Sequence, residues 1–141
     1  MSKDWEEALE AEIRKNYSET LIDHGRNPRN LGDLEESNAF GILDGPCGDI
    51  MAIWLNVEDN TITDIGFTTD GCIASLAIGS MTTEMAKGKT LTDAQHINQQ
   101  DILDALGGLP KENEHRVLLW INTLQEAITN YQTEAAHRYY E

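Results

Sequence analysis

The sequence predicts an α+β domain in which a three-stranded antiparallel sheet packs on helices. Three short stretches between residues 39 and 69 alternate apolar and polar residues and are separated by turn residues. The flanking stretches repeat apolar residues at helical spacing instead. Because the strands are grouped rather than interleaved with helices, this order favours a two-layer α+β fold over parallel βαβ units. We expect residues 1–141 to form one domain, since a chain of that length can bury its own core.

The first predicted element is an amphipathic helix over residues 4–24. Apolar residues recur there at every fourth position, with charged residues between them. These residues are Leu9, Ile13, Tyr17 and Leu21. Pro28 should keep the chain from continuing as a helix, because the residue before a proline avoids the helical region.

The predicted strands cover residues 39–43, 49–57 and 61–69, with a turn at Glu58-Asp59-Asn60. One face of the second strand should carry Met51, Ile53, Leu55 and Val57, and one face of the third Thr63, Ile65 and Phe67. If Val57 pairs near Thr61, antiparallel register places Asp49 opposite Thr69 and Cys47 beside Cys72. Two cysteines far apart in the sequence are therefore predicted to be neighbours.

Four further helices are predicted, over residues 72–87, 92–98, 101–106 and 114–133. The buried side of the first should carry Ile73, Leu76, Ala77, Met81 and Met85, and the last should carry Val117, Ile121, Leu124, Ile128 and Tyr131. Gly88 is expected to close the first of these helices, and Gly107-Gly108-Leu109-Pro110 to break the chain before the last.

Charge and composition exclude several classes of protein. A formal net charge of −15 repels phosphate backbones, which argues against nucleic acid as a partner. No apolar run reaches the length of a membrane span, and the polar N-terminal residues do not read as a signal peptide, so a cytoplasmic protein is expected. In that reducing compartment the two cysteines are expected to be thiols rather than a disulfide.

Four side chains are candidates for a metal site: Cys47, Asp49, Cys72 and His115. Cys47 and Asp49 lie in a glycine-rich loop suited to sharp turns, and Cys72 and His115 lie at the starts of predicted helices. Two sulfurs, one oxygen and one nitrogen suit tetrahedral Zn²⁺ or an iron–sulfur cluster. Each residue also has an ordinary structural interpretation: a cysteine as a small buried side chain, Asp49 as a turn cap, His115 as a helix residue without a ligand role. We expect His24 to be a surface residue rather than a ligand.

Several longer motifs extend along nearly the whole chain. They are Asn27-Pro28-Arg29-Asn30-Leu31-Gly32, Gly45-Pro46-Cys47-Gly48-Asp49, Asp70-Gly71-Cys72, Thr83-Glu84-Met85-Ala86-Lys87-Gly88-Lys89, and Leu109-Pro110 through His115. With these motifs the chain resembles the IscU/NifU-type iron–sulfur cluster assembly scaffolds, and in particular their scaffold module alone. The resemblance implies a SufE/NifU-like fold of three antiparallel strands packed on helices.

The resemblance also implies a role as a scaffold or carrier rather than an enzyme with turnover of its own. Members receive iron, take sulfur from a PLP-dependent cysteine desulfurase, build a [2Fe–2S] cluster and pass it to acceptor apo-proteins. Cys47, Asp49, Cys72 and His115 fall at the corresponding ligand positions of this sequence. Zinc is a further metal that such a site can hold.

The chain departs from the family pattern at Arg116, where the family has its third cysteine. Arginine neither ligates metals nor deprotonates, so Arg116 is expected either to modulate the site through its charge or to point outward from a site that has partly decayed. Two alternatives therefore stand beside the scaffold: a zinc-bound sulfur-transfer partner of a desulfurase, and a degenerate adaptor that assembles nothing. The loop Leu109-Pro110-Lys111 keeps only the leading Leu-Pro of the motif that a dedicated Hsp70 chaperone reads in bacterial members, so that interaction is doubtful.

Overall fold

A computed structural model describes residues 2–46 and 48–140. Six α-helices and three strands follow one another along the described chain, with a 3-10 turn at Lys111–Asn113 before the last helix. They are α1 (Ser2–Asn16), α2 (Glu19–Arg26), β1 (Ala39–Asp44), β2 (Ile50–Glu58), β3 (Thr61–Thr69), α3 (Ile73–Ala86), α4 (Leu91–Gln95), α5 (Gln99–Leu106) and α6 (Glu114–Tyr140). Within the described ranges, no helix is long and apolar enough to cross a membrane.

The three strands form one antiparallel sheet, as predicted, with bounds within a residue of the predicted ones, and their order in the sheet is β1-β2-β3. Asp59 and Asn60 make the tight turn between β2 and β3, with φ values of 52° and 61°. Asx residues tolerate that left-handed region better than most. The inner face of β2 is buried where the alternation predicted it, at Met51, Ile53, Leu55 and Val57.

The predicted register of β2 and β3 is wrong by two residues. Thr69 lies opposite Met51, not Asp49. One residue of the shift comes from the turn, since Glu58 rather than Val57 pairs with Thr61. The other comes from an irregularity between Asn56 and Val57.

The same irregularity changes which residues of β3 face the core. Asn56 lies opposite Asp64 and Val57 opposite Ile62, so Thr63 is the extra residue. Thr63 is exposed rather than buried, and the fully buried Ile62 takes the expected place on the inner face. Ile65 and Phe67 are buried as predicted.

The single helix predicted over residues 4–24 is two helices. The chain breaks at Tyr17-Ser18 because Ser18 acts as the N-cap of α2, its Oγ accepting a hydrogen bond from the backbone N–H of Leu21 at 3.0 Å. The same hydroxyl donates to the carbonyl of Leu106, which fixes the break against the end of α5. Apolar spacing continues across the break, so periodicity alone does not reveal it.

Helix α3 is buried on most sides rather than along one stripe. Ala77 and Met81 are buried as predicted, whereas Ile73, Leu76 and Met85 are only partly buried. The cause is its central position, because α3 contacts α2, β3, α5 and α6. The small residues of this helix allow those neighbours to approach closely.

The remaining helices agree with prediction apart from their ends. Helix α3 begins one residue after Cys72, α4 spans 91–95 rather than 92–98, and α5 begins at Gln99 because Asn98 caps it. Helix α6 begins at the predicted residue 114 but continues to 140. Four residues of its predicted stripe are buried and Tyr131 is partly buried. The fully buried Trp120 was not among the predicted residues, although it lies three residues after Val117 and so belongs to the same stripe.

Candidate metal centre

The loop Gly45–Asp49 between β1 and β2 closes as a tight turn. The backbone N–H of Gly45 donates to the carbonyl of Asp49 at 2.6 Å, and that of Gly48 donates to the carbonyl of Gly45 at 3.0 Å. Gly48 has φ 84°, a conformation that glycine adopts without steric cost. Cys47 lies outside the described residues, so its predicted proximity to Cys72 stays a prediction.

Asp49 forms an ion pair with Arg116. The Nη1 group of Arg116 donates to Oδ2 of Asp49, across 67 residues of sequence. The two side chains are 17% and 20% exposed, so the pair is largely withdrawn from solvent. Helix α6 supplies Arg116 from its first turn, and in this way the start of α6 is joined to the loop before β2.

The Asp49 carboxylate also lies against the backbone beside Cys72. A Cβ placed on Gly71 would lie 3.1 Å from Asp49 Oδ2. Glycine at this position therefore leaves room for the carboxylate. Asp49 was predicted to lie opposite Thr69. In the observed register Met51 takes that place, so continuing the register by two residues brings Asp49 level with Gly71, closer to Cys72 than predicted.

Cys72 is exposed and caps the N-terminus of α3 in extended backbone geometry (φ −76°, ψ −177°), without a side-chain capping hydrogen bond. The residues around it are fixed. Asp70 Oδ1 accepts from the backbone N–H of Ile50 at 2.8 Å, and the N–H of Gly71 donates to Thr69 Oγ1 at 3.1 Å. The thiol is thus held at the end of the sheet with access to solvent.

His115 lies directly before Arg116 at the start of α6 and is exposed. Over the ranges 2–46 and 48–140, no three His, Cys, Asp or Glu side chains are close enough together to hold a metal ion. Asp49, Cys72 and His115 therefore come to one end of the sheet without converging. Asp49 is turned to Arg116 instead, and the four-ligand set stays a prediction.

The guanidinium of Arg116 uses only part of its hydrogen-bonding capacity. Its Nε is buried and has no hydrogen-bond partner among the described residues. An arginine carries five N–H donors, and a buried donor without an acceptor is costly. Arg116 and Asp49 therefore form an ion pair in which at least one buried N–H donor of the guanidinium has no acceptor within the described part of the chain.

His24 is buried rather than at the surface, contrary to prediction, with a relative exposure of 8% for the residue. Its Nδ1 lies 2.7 Å from Ser80 Oγ, and that oxygen accepts the backbone N–H of Arg29 at 2.8 Å. Burial lowers the pKa of His24, and the positive charge of Arg29 adds to this effect. The signal that could have revealed it is its position three residues after Leu21 on the same helix face.

Comparison with known proteins places the chain in a family. The family model described as the NifU-like N terminal domain matches residues 16–138. The chain belongs to this family. It is 47% identical over 116 residues to a protein of Archaeoglobus fulgidus named iron-sulfur cluster assembly scaffold protein IscU 1, covering 82% of this chain and 76% of that protein. It is 38% identical over 123 residues to the scaffold protein IscU of Escherichia coli K12, covering 84% of this chain and 95% of that protein.

Solved structures confirm the fold. The structure of a putative iron-sulfur cluster assembly scaffold protein for the SUF system, from Fervidobacterium islandicum AW-1, matches with a TM-score of 0.67 at 20% identity, over 79% of this chain and 96% of that chain. An N-terminal NifU-like protein from Brucella abortus matches with a TM-score of 0.68 at 18% identity, over 86% of this chain and 97% of that chain. These structures confirm the α+β prediction, and the family match confirms the resemblance to NifU-type proteins.

Proposed function

We propose that the chain is an iron–sulfur cluster assembly scaffold that carries iron or a [2Fe–2S] cluster as its cargo. Membership of the NifU-like family supports the proposal, together with the names of its relatives. The structural observation that carries it is the placement of the Asp49 carboxylate against Gly71, the residue that directly precedes the exposed Cys72. The start of α6, with His115, adjoins the same end of the sheet through the pair of Arg116 with Asp49.

Cys47, Asp49, Cys72 and His115 are the proposed ligands. Thiolates are the preferred ligands of iron in iron–sulfur clusters, and carboxylate oxygen is a poorer match for a soft, sulfur-bridged cluster. A ligand set that mixes two thiolates with one carboxylate and one imidazole should therefore release its cargo more readily than four thiolates. That property suits a carrier, which does not turn over a substrate.

The partners we propose are a PLP-dependent cysteine desulfurase, which supplies sulfur, and apo-proteins that accept the cluster, in the cytoplasm. The net charge of −15 suits a basic docking surface on either partner. An Hsp70-type chaperone stays outside the proposal, because only Leu109-Pro110 of its recognition motif is present.

The test is anaerobic reconstitution with ferrous iron and sulfide, followed by visible absorption and iron and sulfide analysis. The parent protein should develop a charge-transfer spectrum, and Cys72→Ser and Asp49→Ala should weaken or abolish it. Asp44→Ala is the matched control for Asp49, because Asp44 is an exposed aspartate at the other end of the same loop, on β1. His96→Ala is the control for His115→Ala, since His96 lies on another helix end and bonds the carbonyl of Thr92. A parent spectrum no stronger than iron and sulfide mixed without protein would exclude the scaffold.

The exposure of Cys72 favours a second candidate, a zinc-bound sulfur-transfer partner of the desulfurase. A thiolate that attacks a desulfurase persulfide takes its outer sulfur and leaves the desulfurase thiolate behind, which requires access from solvent. Mass spectrometry after incubation with desulfurase and cysteine should then show one added sulfur on Cys72 or Cys47. If neither thiol gains sulfur, and desulfurase binding survives replacement of both cysteines by serine, the chain is an adaptor.

A further inference from the structure

We infer that Arg116 is a releasable counter-ion for Asp49, which cargo must displace before Asp49 can act as a ligand. The inference rests on the proposed function, because it concerns the same carboxylate. It adds a positioning residue at the place where the resemblance leads one to expect a third thiolate. Its consequence is that Arg116 weakens cation binding and speeds release.

The contact that carries the inference is specific to one carboxylate oxygen. Arg116 Nη1 donates to Asp49 Oδ2, and that same oxygen lies against Gly71, beside Cys72. A metal ion shared by Asp49 and Cys72 needs a lone pair of this carboxylate. The carboxylate has further lone pairs, but Oδ2 is the oxygen beside Gly71 and the guanidinium already occupies it, so guanidinium and metal ion compete there.

Electrostatics makes the competition unfavourable to a bare cation. Opposite charges in direct contact attract each other strongly. The side chains of Arg116 and Asp49 are only 17% and 20% exposed, so solvent screens their attraction less than that of a surface pair. A dication at Asp49 also brings two positive charges close to the guanidinium, and it gains affinity when Arg116 moves away or is removed.

The pair is built so that it can open. The buried Nε of Arg116 has no hydrogen-bond partner among the described residues, so the guanidinium is not held by a complete network on all sides. Turning the side chain outward costs the contact with Asp49 but returns Nε–H to water. Arg116 lies in the first turn of α6, where such a rotation leaves the helix intact.

The test is a double-mutant cycle with Co²⁺ as the probe, under anaerobic conditions, using the absorption of bound cobalt as the readout. The proteins are the parent, Arg116→Met, Asp49→Asn and the double variant, with Arg116→Lys as the conservative variant and Arg14→Met as the control. Arg14 is an exposed arginine whose ion pairs lie on α1 and α2. Circular dichroism establishes that each variant is folded.

Arg116→Met should bind Co²⁺ roughly tenfold to a hundredfold more tightly and release it more slowly to a chelator. The gain should disappear in the Asp49→Asn background, and Arg116→Lys should bind more nearly as the parent does, because it keeps the charge. Arg14→Met should match the parent. Unchanged or weaker binding by Arg116→Met would overturn the inference, as would an equal gain in the Asp49→Asn background.

Reconstitution of the same proteins with iron and sulfide separates this inference from the proposed function. Tighter Co²⁺ binding by Arg116→Met without any sulfide-dependent spectrum sustains the counter-ion role and overturns the scaffold. A cluster spectrum in the parent, with no gain in Co²⁺ affinity in Arg116→Met, sustains the scaffold and overturns the counter-ion role. Absence of Co²⁺ binding in every protein overturns the counter-ion role, and only if the parent also gives no cluster spectrum is the scaffold overturned with it.

Discussion

The rings of Phe67 and Trp120 meet edge to face, with centroids 5.4 Å apart and an interplanar angle of 90°. This contact joins β3 to α6, and Gly79 of α3 lies beneath both rings. A Cβ on Gly79 would lie 2.7 Å from Phe67 Cε2 and 2.9 Å from Trp120 Cη2. The elements β3, α6 and α3 therefore approach one another so closely at Gly79 that α3 has no room for a side chain at this position.

Gly79→Ala should destabilise the protein by about 1–3 kcal/mol, because a methyl group forced into a packed core displaces its neighbours. Alanine in an open helix position would be stabilising instead, so the sign of the change tests the packing. Urea unfolding followed by circular dichroism measures it. In a Phe67→Leu background the loss should shrink, since the nearest ring carbon is gone. An undiminished loss there would mean that Phe67 is not the obstacle.

His24 should make stability depend on pH. Burial, and then the charge of Arg29, lower the pKa of His24 in the folded state below its ordinary value of about 6.5. The unfolded chain therefore takes up the proton first as pH falls. The stabilisation is complete above about pH 6.5 and declines as pH falls toward the folded-state pKa. Asp23 and Glu84 act in the opposite direction on the same imidazole, without reversing the shift.

The measurement is the free energy of unfolding in urea at pH 7.5 and pH 5.5. The parent should lose more stability between the two values than His24→Gln, which has no group titrating at that position. His96→Gln is the matched control, because it removes an exposed histidine instead of the buried one. Equal pH slopes in the parent and His24→Gln would contradict the prediction.

Local patterns predicted every strand, because alternation and turn residues act over a few positions. They also placed two of the candidate residues at strand ends, Asp49 before β2 and Cys72 after β3. The hairpin was predicted to place Asp49 opposite Thr69, and the observed register instead brings the Asp49 carboxylate against Gly71, the residue before Cys72. The irregularity at Val57 has no comparable local signal, since it depends on a partner strand.

Arg116 and His24 show where local patterns end. The partner of Arg116 lies 67 residues away, and only the packing of α6 on the sheet brings the two together. The position of His24 three residues after Leu21 indicates the buried helix face, but its polar partner, Ser80 on α3, lies 56 residues away and no local pattern indicates it. Both contacts required the three-dimensional arrangement of helices on the sheet.

Asn38 extends the sheet at the irregularity. Its amide Nδ2 donates to the carbonyl of Val57 at 2.8 Å, and its Oδ1 accepts the N–H of Val57 at 2.8 Å. The side chain thereby replaces a strand residue beyond the last β1–β2 pair, Ala39 with Leu55. Asn38→Ala should cost about 1–3 kcal/mol, because it removes both partners of a mostly buried backbone segment.

Urea unfolding of Asn38→Ala and Asn38→Asp measures this bridge. Aspartate keeps the acceptor for the Val57 N–H but loses the donor to its carbonyl, so its loss should be smaller than that of alanine if the acceptor matters most. Ser37→Ala, a change at the exposed neighbouring position, is the control and should be nearly neutral. If Asn38→Ala loses no more stability than Ser37→Ala, the two hydrogen bonds between the Asn38 side chain and the Val57 backbone do not contribute to stability.

Metal should raise the melting temperature of the chain. The proposed ligands lie on the Gly45–Asp49 loop, before α3 and at the start of α6, so a bound ion would tie three segments together in the folded state only. A ligand at one hundred times its dissociation constant stabilises by about 2.7 kcal/mol. We therefore expect Zn²⁺ to raise the melting temperature of protein stripped with chelator, and Cys72→Ser to abolish most of the rise. Asp44→Ala should retain the rise.

Arg116→Met should reach the same rise in melting temperature at a lower zinc concentration than the parent, since Asp49 is then free of its counter-ion. If the variant needs a higher zinc concentration than the parent, the role assigned to Arg116 is contradicted.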